Sequence, residues 1–246
     1  MIELCLDGNP GKKKYILTGA DGEYQVGDFD GRAFIPGTPK IPGQRGYGNA
    51  MYAAQTFANM PGGRVVQIGW FQTPAPGMTF NQSMGFPCEL TLRSTPDGPR
   101  MAWNPIGEIS RLAVGEQEFG PQTLQPGENP LAGVTGRLLD IEAVLEPEEG
   151  AGAGFRIRGV EVVYDSRRGR LLCPGLGEAE LAREDGLIHL RLLVDRISIE
   201  IFGNRGLVYM PVADKPLSQE LGLGIFARGG TVKIHALTVR EICSIW

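Results

Sequence analysis

The sequence has little of what metal centres, membranes or nucleic acids require. Its 246 residues include two histidines and four cysteines without a Cys-x-x-Cys pair, which does not predict a metal site. The net charge of −4 offers no basic patch for nucleic acid. No apolar run approaches the roughly 20 residues that cross a bilayer, and residues 1–7 lack a signal-peptide pattern. We therefore expect a cytoplasmic chain with no metal, cofactor, nucleic-acid or membrane partner. Scattered thiols fit a reducing compartment, although four cysteines could also pair.

Long amphipathic helices are also missing. No segment shows a capped apolar stripe of helical period. The 36 glycines and 18 prolines disfavour helices and suit short strands joined by tight turns. Residues 157–164 and 188–202 are rich in β-branched side chains with partial alternation. The composition therefore predicts an all-β protein.

The spacing of turns divides the chain into three segments. Residues 1–108 resemble a meander of hairpins with long loops, which is typical of β-propeller blades. Residues 109–130 are polar and rich in glycine and proline, and they are predicted to be a linker. From 131 to 246 turns recur every eight to twelve residues or so, which indicates a C-terminal β-sandwich.

Five segments together carry a family resemblance. They are YQVGDFDG (24–31), YAAQTF (52–57), QIGW (67–70), FNQSMGFPCELTLR (80–93) and LVDRISIEIFGN (193–204). In order and spacing they resemble the C-terminal portion of glycoside hydrolase family 32, the family of levanases, inulinases, fructanases and invertases. The resemblance implies a five-bladed β-propeller followed by a β-sandwich, and it makes residues 1–108 a partial β-propeller that consists of the last blades.

The resemblance also implies a retaining mechanism with two carboxyl groups about 5–5.5 Å apart. In the family an aspartate nucleophile lies in a Trp-Met-Asn-Asp-Pro-Asn-Gly-like segment. A stabilising aspartate lies in Arg-Asp-Pro, and the acid/base glutamate lies in Glu-Cys-Pro-Asp. None of the three motifs occurs in this sequence, so no catalytic residue is predicted here. The resemblance aligns Met1 just beyond the acid/base motif, and we expect the first three blades or so to be missing.

Aromatic residues and one loop supply the candidate substrate contacts. Many family members carry Asp-Tyr-Gly before the Tyr-Ala-Ala-Gln segment, and here Gly46 stands in the place of that aspartate. Because the family places this loop near the substrate, Tyr47 and Asn49 are predicted to line a pocket. Trp70, Trp103 and Tyr47 could stack on a sugar ring, although core packing is the commoner fate of such residues.

The acidic residues favour structural roles. Glu89 begins a strand in Pro-Cys-Glu-Leu and is not expected to act as an acid/base. Asp28 and Asp30 lie in an Asp-x-Asp-Gly turn, where backbone capping is the better interpretation. Asp195 and Glu200 are expected to be solvated or ion-paired strand residues.

Three hypotheses about function follow. The first is a fragment of a retaining fructoside hydrolase of the levan, inulin or sucrose class that is inactive alone. The second is a non-catalytic carbohydrate-binding or interaction protein derived from the family, and the third is the C-terminal half of a split glycosidase. The expected partners are a fructan or sucrose-type carbohydrate, and a second copy or an N-terminal partner chain because a cut propeller exposes strand edges. Whether the chain is itself an enzyme stays open: the resemblance points to a glycosidase, and no catalytic motif is present.

Overall fold

A computed structural model describes residues 1–44, 48, 51–213 and 221–245. The described chain is built almost entirely from antiparallel strands, with short 3-10 helices at Pro61–Gly63 and Gly107–Leu112. Among these residues no helix is long and apolar enough to span a membrane. The prediction of an all-β protein is confirmed.

The first blade sheet is a four-stranded meander in the order β1-β2-β3-β4. Its strands are β1 Ile2–Cys5, β2 Lys13–Thr18, β3 Tyr24–Phe29 and β4 Phe34–Pro36. The turn between β2 and β3 forms because Gly22 adopts a φ of 85° and the Asp21 carboxylate accepts the Glu23 N–H at 3.2 Å. Turn chemistry thus sets the register of this hairpin.

The second blade sheet has the order β5-β6-β8-β9, with β7 paired to β6. Its strands are β5 Met51–Thr56, β6 Val66–Phe71, β7 Ser83–Met84, β8 Cys88–Thr95 and β9 Gly98–Pro105. One face of each blade sheet is apolar, and the two faces share one buried cluster that includes Ile16, Val26, Leu92 and Trp103. Two neighbouring blades therefore bury each other's apolar faces.

The rest of the chain forms two packed sheets. The strands are β10 Ala113–Phe119, β11 Gln122–Leu124, β12 Leu139–Pro147, β13 Gly152–Ile157, β14 Val160–Asp165, β15 Arg170–Cys173, β16 Gly177–Glu180, β17 Ile188–Val194, β18 Ser198–Gly203, β19 Val208–Ala213, β20 Leu223–Arg228 and β21 Val232–Ile242. The long sheet has the order β10-β21-β12-β17-β18-β19, with β11 also on β21, and the short sheet has the order β16-β15-β14-β13-β20. Their facing side chains make one apolar core, as expected for a β-sandwich.

Part of the predicted linker, residues 109–130, is strand. β10 and β11 both pair with β21 and extend the long sheet. β10 is exposed along almost its whole length, which explains its polar composition: it is an edge strand with little to bury. The three-segment division itself stays a prediction.

The outer face of the long sheet packs against the second blade sheet. Leu193, Phe202 and Tyr209 belong to the blade cluster rather than to the sandwich core. The Trp103 backbone N–H donates to the Gly206 carbonyl oxygen at 2.9 Å across this junction. As a result β18 is buried on both faces.

Candidate functional site

Tyr47 and Asn49, which the sequence predicts in a substrate pocket, lie outside the described residues. Gly48 between them is described, and its N–H donates to the Gln44 carbonyl oxygen at 2.9 Å. A methyl group on the Gly48 Cα would lie 2.1 Å from the Pro211 carbonyl oxygen. The chain therefore runs directly against β19 at this point, and only glycine fits there.

An aromatic pair reaches solvent on the second blade sheet. Tyr52 and Trp70 occupy paired positions on β5 and β6, and their ring centroids are 6.3 Å apart with planes at 61°. Trp70 is 38% exposed, and its indole N–H donates to Gln82 Oε1 at 2.7 Å. Met84, the partner of Trp70 on β7, is 54% exposed. Together these side chains form an apolar platform.

A bulge in β5 sets the direction of Tyr52. The register with β6 shifts between Tyr52 and Gln55, and Ala53 adopts a φ of 48°. A non-glycine residue in this region is unusual and needs support from its surroundings. The support comes from the first blade sheet, because the Ala53 N–H donates to the Ala20 carbonyl oxygen at 2.7 Å. The two blades therefore fix Tyr52 jointly.

Tyr52 also lines a groove of about 470 Å³ between the blade sheets. Its polar wall includes Asp21, Glu23, Gln25 and Lys40, and Lys40 Nζ lies 3.4 Å from Glu23 Oε2. A volume of this order suits a small ligand. An aromatic face beside carboxylate and amide groups can stack on the apolar face of a sugar while the polar groups bind its hydroxyls.

The aromatic candidates separate by burial. Trp103 is 1% exposed, and its indole N–H donates to Gln67 Oε1 at 3.0 Å. Gln67 Oε1 also accepts the side-chain amide of Gln44 at 2.8 Å. Trp103 is thus a core residue with a satisfied hydrogen bond, whereas Trp70 remains available to a ligand.

Three acidic residues near the blade turns and strands, Glu89, Asp30 and Asp28, have ion-pair or hydrogen-bond partners that give them structural roles. Arg64 forms an ion pair with Glu89 at 2.9 Å. Asp30 accepts the Ala33 and Arg32 backbone N–H groups at 2.7 Å, and these bonds lower the pKa of its carboxyl. Asp28 instead forms an ion pair with Lys14 on the neighbouring strand.

For Glu200 the sequence-based expectation was wrong. This residue is 1% exposed and makes no ion pair among the described residues. Tyr209 O–H donates to Glu200 Oε2, and the Phe86 N–H lies 3.1 Å from Oε1 and 3.2 Å from Oε2. Burial raises the pKa of this carboxyl to about 7, although the hydrogen bonds from Tyr209 and Phe86 oppose the rise. No pattern within β18 predicts that Glu200 is buried, because the segment that covers it, around Phe86, lies more than a hundred residues away in sequence.

The histidines lie apart. His235 Nε2 is 2.7 Å from Glu146 Oε2, and His189 Nε2 is 3.1 Å from an Arg205 nitrogen. Burial, and then the charge of Arg205, lowers the pKa of His189. Within the described ranges no three ligand-type side chains come together in a way that could hold a metal ion.

A second groove of about 390 Å³ lies at the junction of the blade and the sandwich. Asn104 lines one side, and His189, Arg191 and Thr238 line the other. The arginine is engaged, because its guanidinium makes two hydrogen bonds to Asp140 at 2.9 and 2.8 Å. None of the described residues that line this groove is an exposed aromatic side chain like Trp70.

A family model described as the C-terminal region of glycosyl hydrolases family 32 matches residues 108–241, which is more than half of the 246 residues. The chain therefore belongs to this family, and the resemblance drawn from the sequence is confirmed. It is similar to a levanase of Bacillus subtilis (strain 168), with 29% identity over 100% of this chain and 42% of the levanase. A levanase of Bacillus sp. (strain L7) is also 29% identical, over 100% of this chain and 31% of that protein. The chain thus spans less than half of either relative.

Solved structures of the family show the same fold. An exo-inulinase from Aspergillus awamori superposes with a TM-score of 0.80 at 18% identity, over 100% of this chain and 56% of that one. A β-fructofuranosidase from Schwanniomyces occidentalis in complex with fructosyl-erythritol gives 0.79 at 18% identity, over 99% and 59%. The predicted fold, partial propeller blades followed by a β-sandwich, is confirmed.

Proposed function

We propose that this chain is the C-terminal part of a retaining fructoside hydrolase, which contributes carbohydrate contacts and does not cleave a fructoside by itself. One observation carries the proposal: a chain of glycosyl hydrolases family 32 contains none of the three carboxylate motifs that the resemblance leads us to expect. A retaining mechanism needs both a nucleophile and an acid/base. The platform of Tyr52 and Trp70 can bind a sugar without either of them.

The proposed ligand is a fructan or a sucrose-type carbohydrate. The matched relatives include levanases and an exo-inulinase, which supports this class. Tyr52 lines the groove, and the ring of Trp70, whose centroid lies 6.3 Å from that of Tyr52, would stack on a furanose face beside it. Gln82, which already accepts the indole N–H, would hold that ring in place. Asp21 and Glu23 supply acceptors for sugar hydroxyls.

A second candidate, the C-terminal half of a split glycosidase, is favoured by the outer face of the first blade sheet. Leu17 is 43% exposed there, and the half-buried rings of Tyr15 and Phe29 meet edge to face at 5.6 Å. Tyr15 O–H donates to Glu3 on β1, the edge strand of this sheet. An apolar blade face beside an edge strand suits a partner chain or a second copy.

Fructose release tests the lack of catalysis. The purified chain should release no fructose from levan, inulin or sucrose above a buffer blank, with a family enzyme that carries all three motifs as positive control. Removing a catalytic carboxylate raises the barrier by several kcal/mol, and each 1.36 kcal/mol is about tenfold in rate. Turnover that a substitution of one carboxylate in this chain abolishes would contradict the proposal.

Retardation in gels containing levan or inulin tests the binding site. Trp70→Ala should abolish retardation, because the stacking surface is lost. Phe57→Ala removes another exposed ring, 49% exposed, at the opposite end of β5, and it should leave retardation unchanged. Equal effects of the two substitutions would mean that the platform is not the binding site.

Light scattering tests the partner face. The wild-type chain should self-associate with rising concentration, and Leu17→Lys should reduce this association by placing a charge on the exposed apolar face. If the wild-type chain is a monomer at every concentration, the exposed face of the first blade sheet no longer supports the split-enzyme hypothesis.

A further inference from the structure

A buried carboxyl group joins the two halves of the molecule. Glu200 projects from the outer face of β18 in the sandwich, and its oxygens accept the Phe86 N–H from the segment between β7 and β8. Tyr209 O–H on β19 donates to the same carboxyl. Gly85 leaves room for this contact, because a methyl group on its Cα would lie 3.2 Å from the Tyr209 hydroxyl and 3.4 Å from Glu200 Oε1.

The surroundings of Glu200 contain no compensating cation among the described residues. From the blade side it faces the Phe86 N–H and the buried thiol of Cys88. From the sandwich side Asp195 adds a second negative charge. The charge of Arg191 acts on the Cys88 thiol, but its guanidinium is bound to Asp140 on β12. Counting only the residues that the structure describes, an ionised Glu200 is a buried charge held by hydrogen bonds without an ion pair, which is costly.

We propose that Glu200 makes the contact between the second blade sheet and the sandwich pH-sensitive, closed while its carboxyl is protonated and looser once it ionises. The proposal does not depend on a carbohydrate or on activity. At this junction the segment that follows β7 contacts the sandwich through Glu200. The same β7 pairs with β6 at Trp70.

The direction of the effect follows from proton binding. In the closed junction the pKa of Glu200 is raised from 4.5 to about 7, mainly by burial. In an opened junction the carboxyl meets water, and its pKa returns toward the ordinary value. The closed state thus binds the proton more tightly, so the junction is most stable below about pH 4.5 and loses this stability as the pH rises to about 7. Between pH 6 and pH 8 the opening equilibrium should increase about tenfold.

Thiol labelling measures this opening. Cys88 lies 2% exposed in the cluster shared with the junction, and Cys173 lies fully buried in the sandwich core. The alkylation rates of the two thiols are followed by peptide mass spectrometry at pH 6 and pH 8. Burial raises the pKa of the Cys88 thiol in the closed junction, so each thiol reacts after an opening exposes it to water, where its pKa returns toward the ordinary value. The pH dependence of thiolate formation then cancels in the ratio, which compares the opening of the junction with that of the sandwich core. We expect the Cys88/Cys173 ratio to rise about tenfold from pH 6 to pH 8.

Three variants test the cause. Glu200→Gln retains an acceptor for the Phe86 N–H without an ionisable group, so its ratio should not change with pH. Tyr209→Phe removes a donor to the carboxylate, so its ratio should be raised more at pH 8 than at pH 6. Glu89→Gln, on the blade surface, should behave like the wild-type chain. A wild-type ratio that is constant with pH, or a Glu200→Gln ratio that rises as the wild-type ratio does, would overturn the proposal. If Glu200→Gln does not fold, the wild-type and Tyr209→Phe ratios still decide the matter.

Discussion

Replacement of Trp103 by alanine should destabilise the protein more than any change at an exposed aromatic residue. Its ring is 1% exposed, meets Tyr24 edge to face at 5.7 Å and lies 6.4 Å from the Tyr209 ring. Removal of a buried tryptophan costs about 3–5 kcal/mol, since it loses the apolar transfer energy and leaves a cavity. The backbone bond from Trp103 to Gly206 remains, so the loss is confined to the side chain.

This loss can be expressed as a temperature. An unfolding entropy of about 2.1 cal/mol/K per residue, applied to 246 residues, gives about 0.5 kcal/mol/K. A loss of 3–5 kcal/mol therefore lowers Tm by about 6–10 °C, which differential scanning calorimetry resolves. Trp103→Phe should fall between the wild-type chain and Trp103→Ala, because it keeps most of the packing and loses the bond to Gln67.

Trp70→Ala is the matched control for this prediction. The two tryptophans look alike in sequence, but Trp70 is 38% exposed and its indole N–H meets a side chain at the surface. Its loss should lower the free energy of unfolding by about 1 kcal/mol or less. Equal Tm shifts for the two alanine variants would refute the assignment of Trp103 to the core and of Trp70 to the ligand platform.

Three further substitutions test other parts of the fold. Gly206→Ala should lower Tm by several degrees in a thermal melt, since Gly206 has a φ of 85° and the added Cβ would lie 2.1 Å from the Trp103 carbonyl oxygen. Asp140→Ala should cost about 2 kcal/mol in denaturant unfolding, because Asp140 is 1% exposed and its loss strips a half-buried arginine of its main partner. Ion pairs with Arg228 and a second arginine lower the pKa of Glu161 to about 2. Its contribution is therefore present above about pH 4.5 and is lost as the pH falls toward 2. Glu161→Gln should cost about 1 kcal/mol at pH 7, less at pH 3, in paired denaturant titrations.

The sequence predicts the hairpins well because their turns are encoded locally. The meander of hairpins expected in residues 1–108 includes the pair β2 Lys13–Thr18 and β3 Tyr24–Phe29. The turn residues Asp21 and Gly22 make the hydrogen bond and the positive φ that this turn needs. The partial alternation in residues 188–202 likewise matches β17 Ile188–Val194 and β18 Ser198–Gly203. Local signals of this kind need no knowledge of the distant chain.

Two features escape such local signals. Residues 113–119 form β10 although their composition is that of a loop, because an exposed edge strand buries almost nothing and so shows no alternation. Along β18, Ile199 and Ile201 face the sandwich core, and Glu200 lies on the opposite face of the strand. In an isolated sandwich that face would be in contact with water. It is buried because a second sheet covers that face, and no pattern within the strand records the packing of another unit upon it.

The same packing bears on whether the sandwich can stand alone. Its core closes within its own two sheets, which favours independent folding. Its outer face is different, because Leu193, Phe202 and Tyr209 are buried in one cluster with side chains of the blade sheets. Separation would expose these three side chains together with the Glu200 carboxyl that the Phe86 N–H now satisfies. A sandwich freed by proteolysis should therefore hold its fold and present a new apolar patch, and the burial of this patch stabilises the attachment of the two blades.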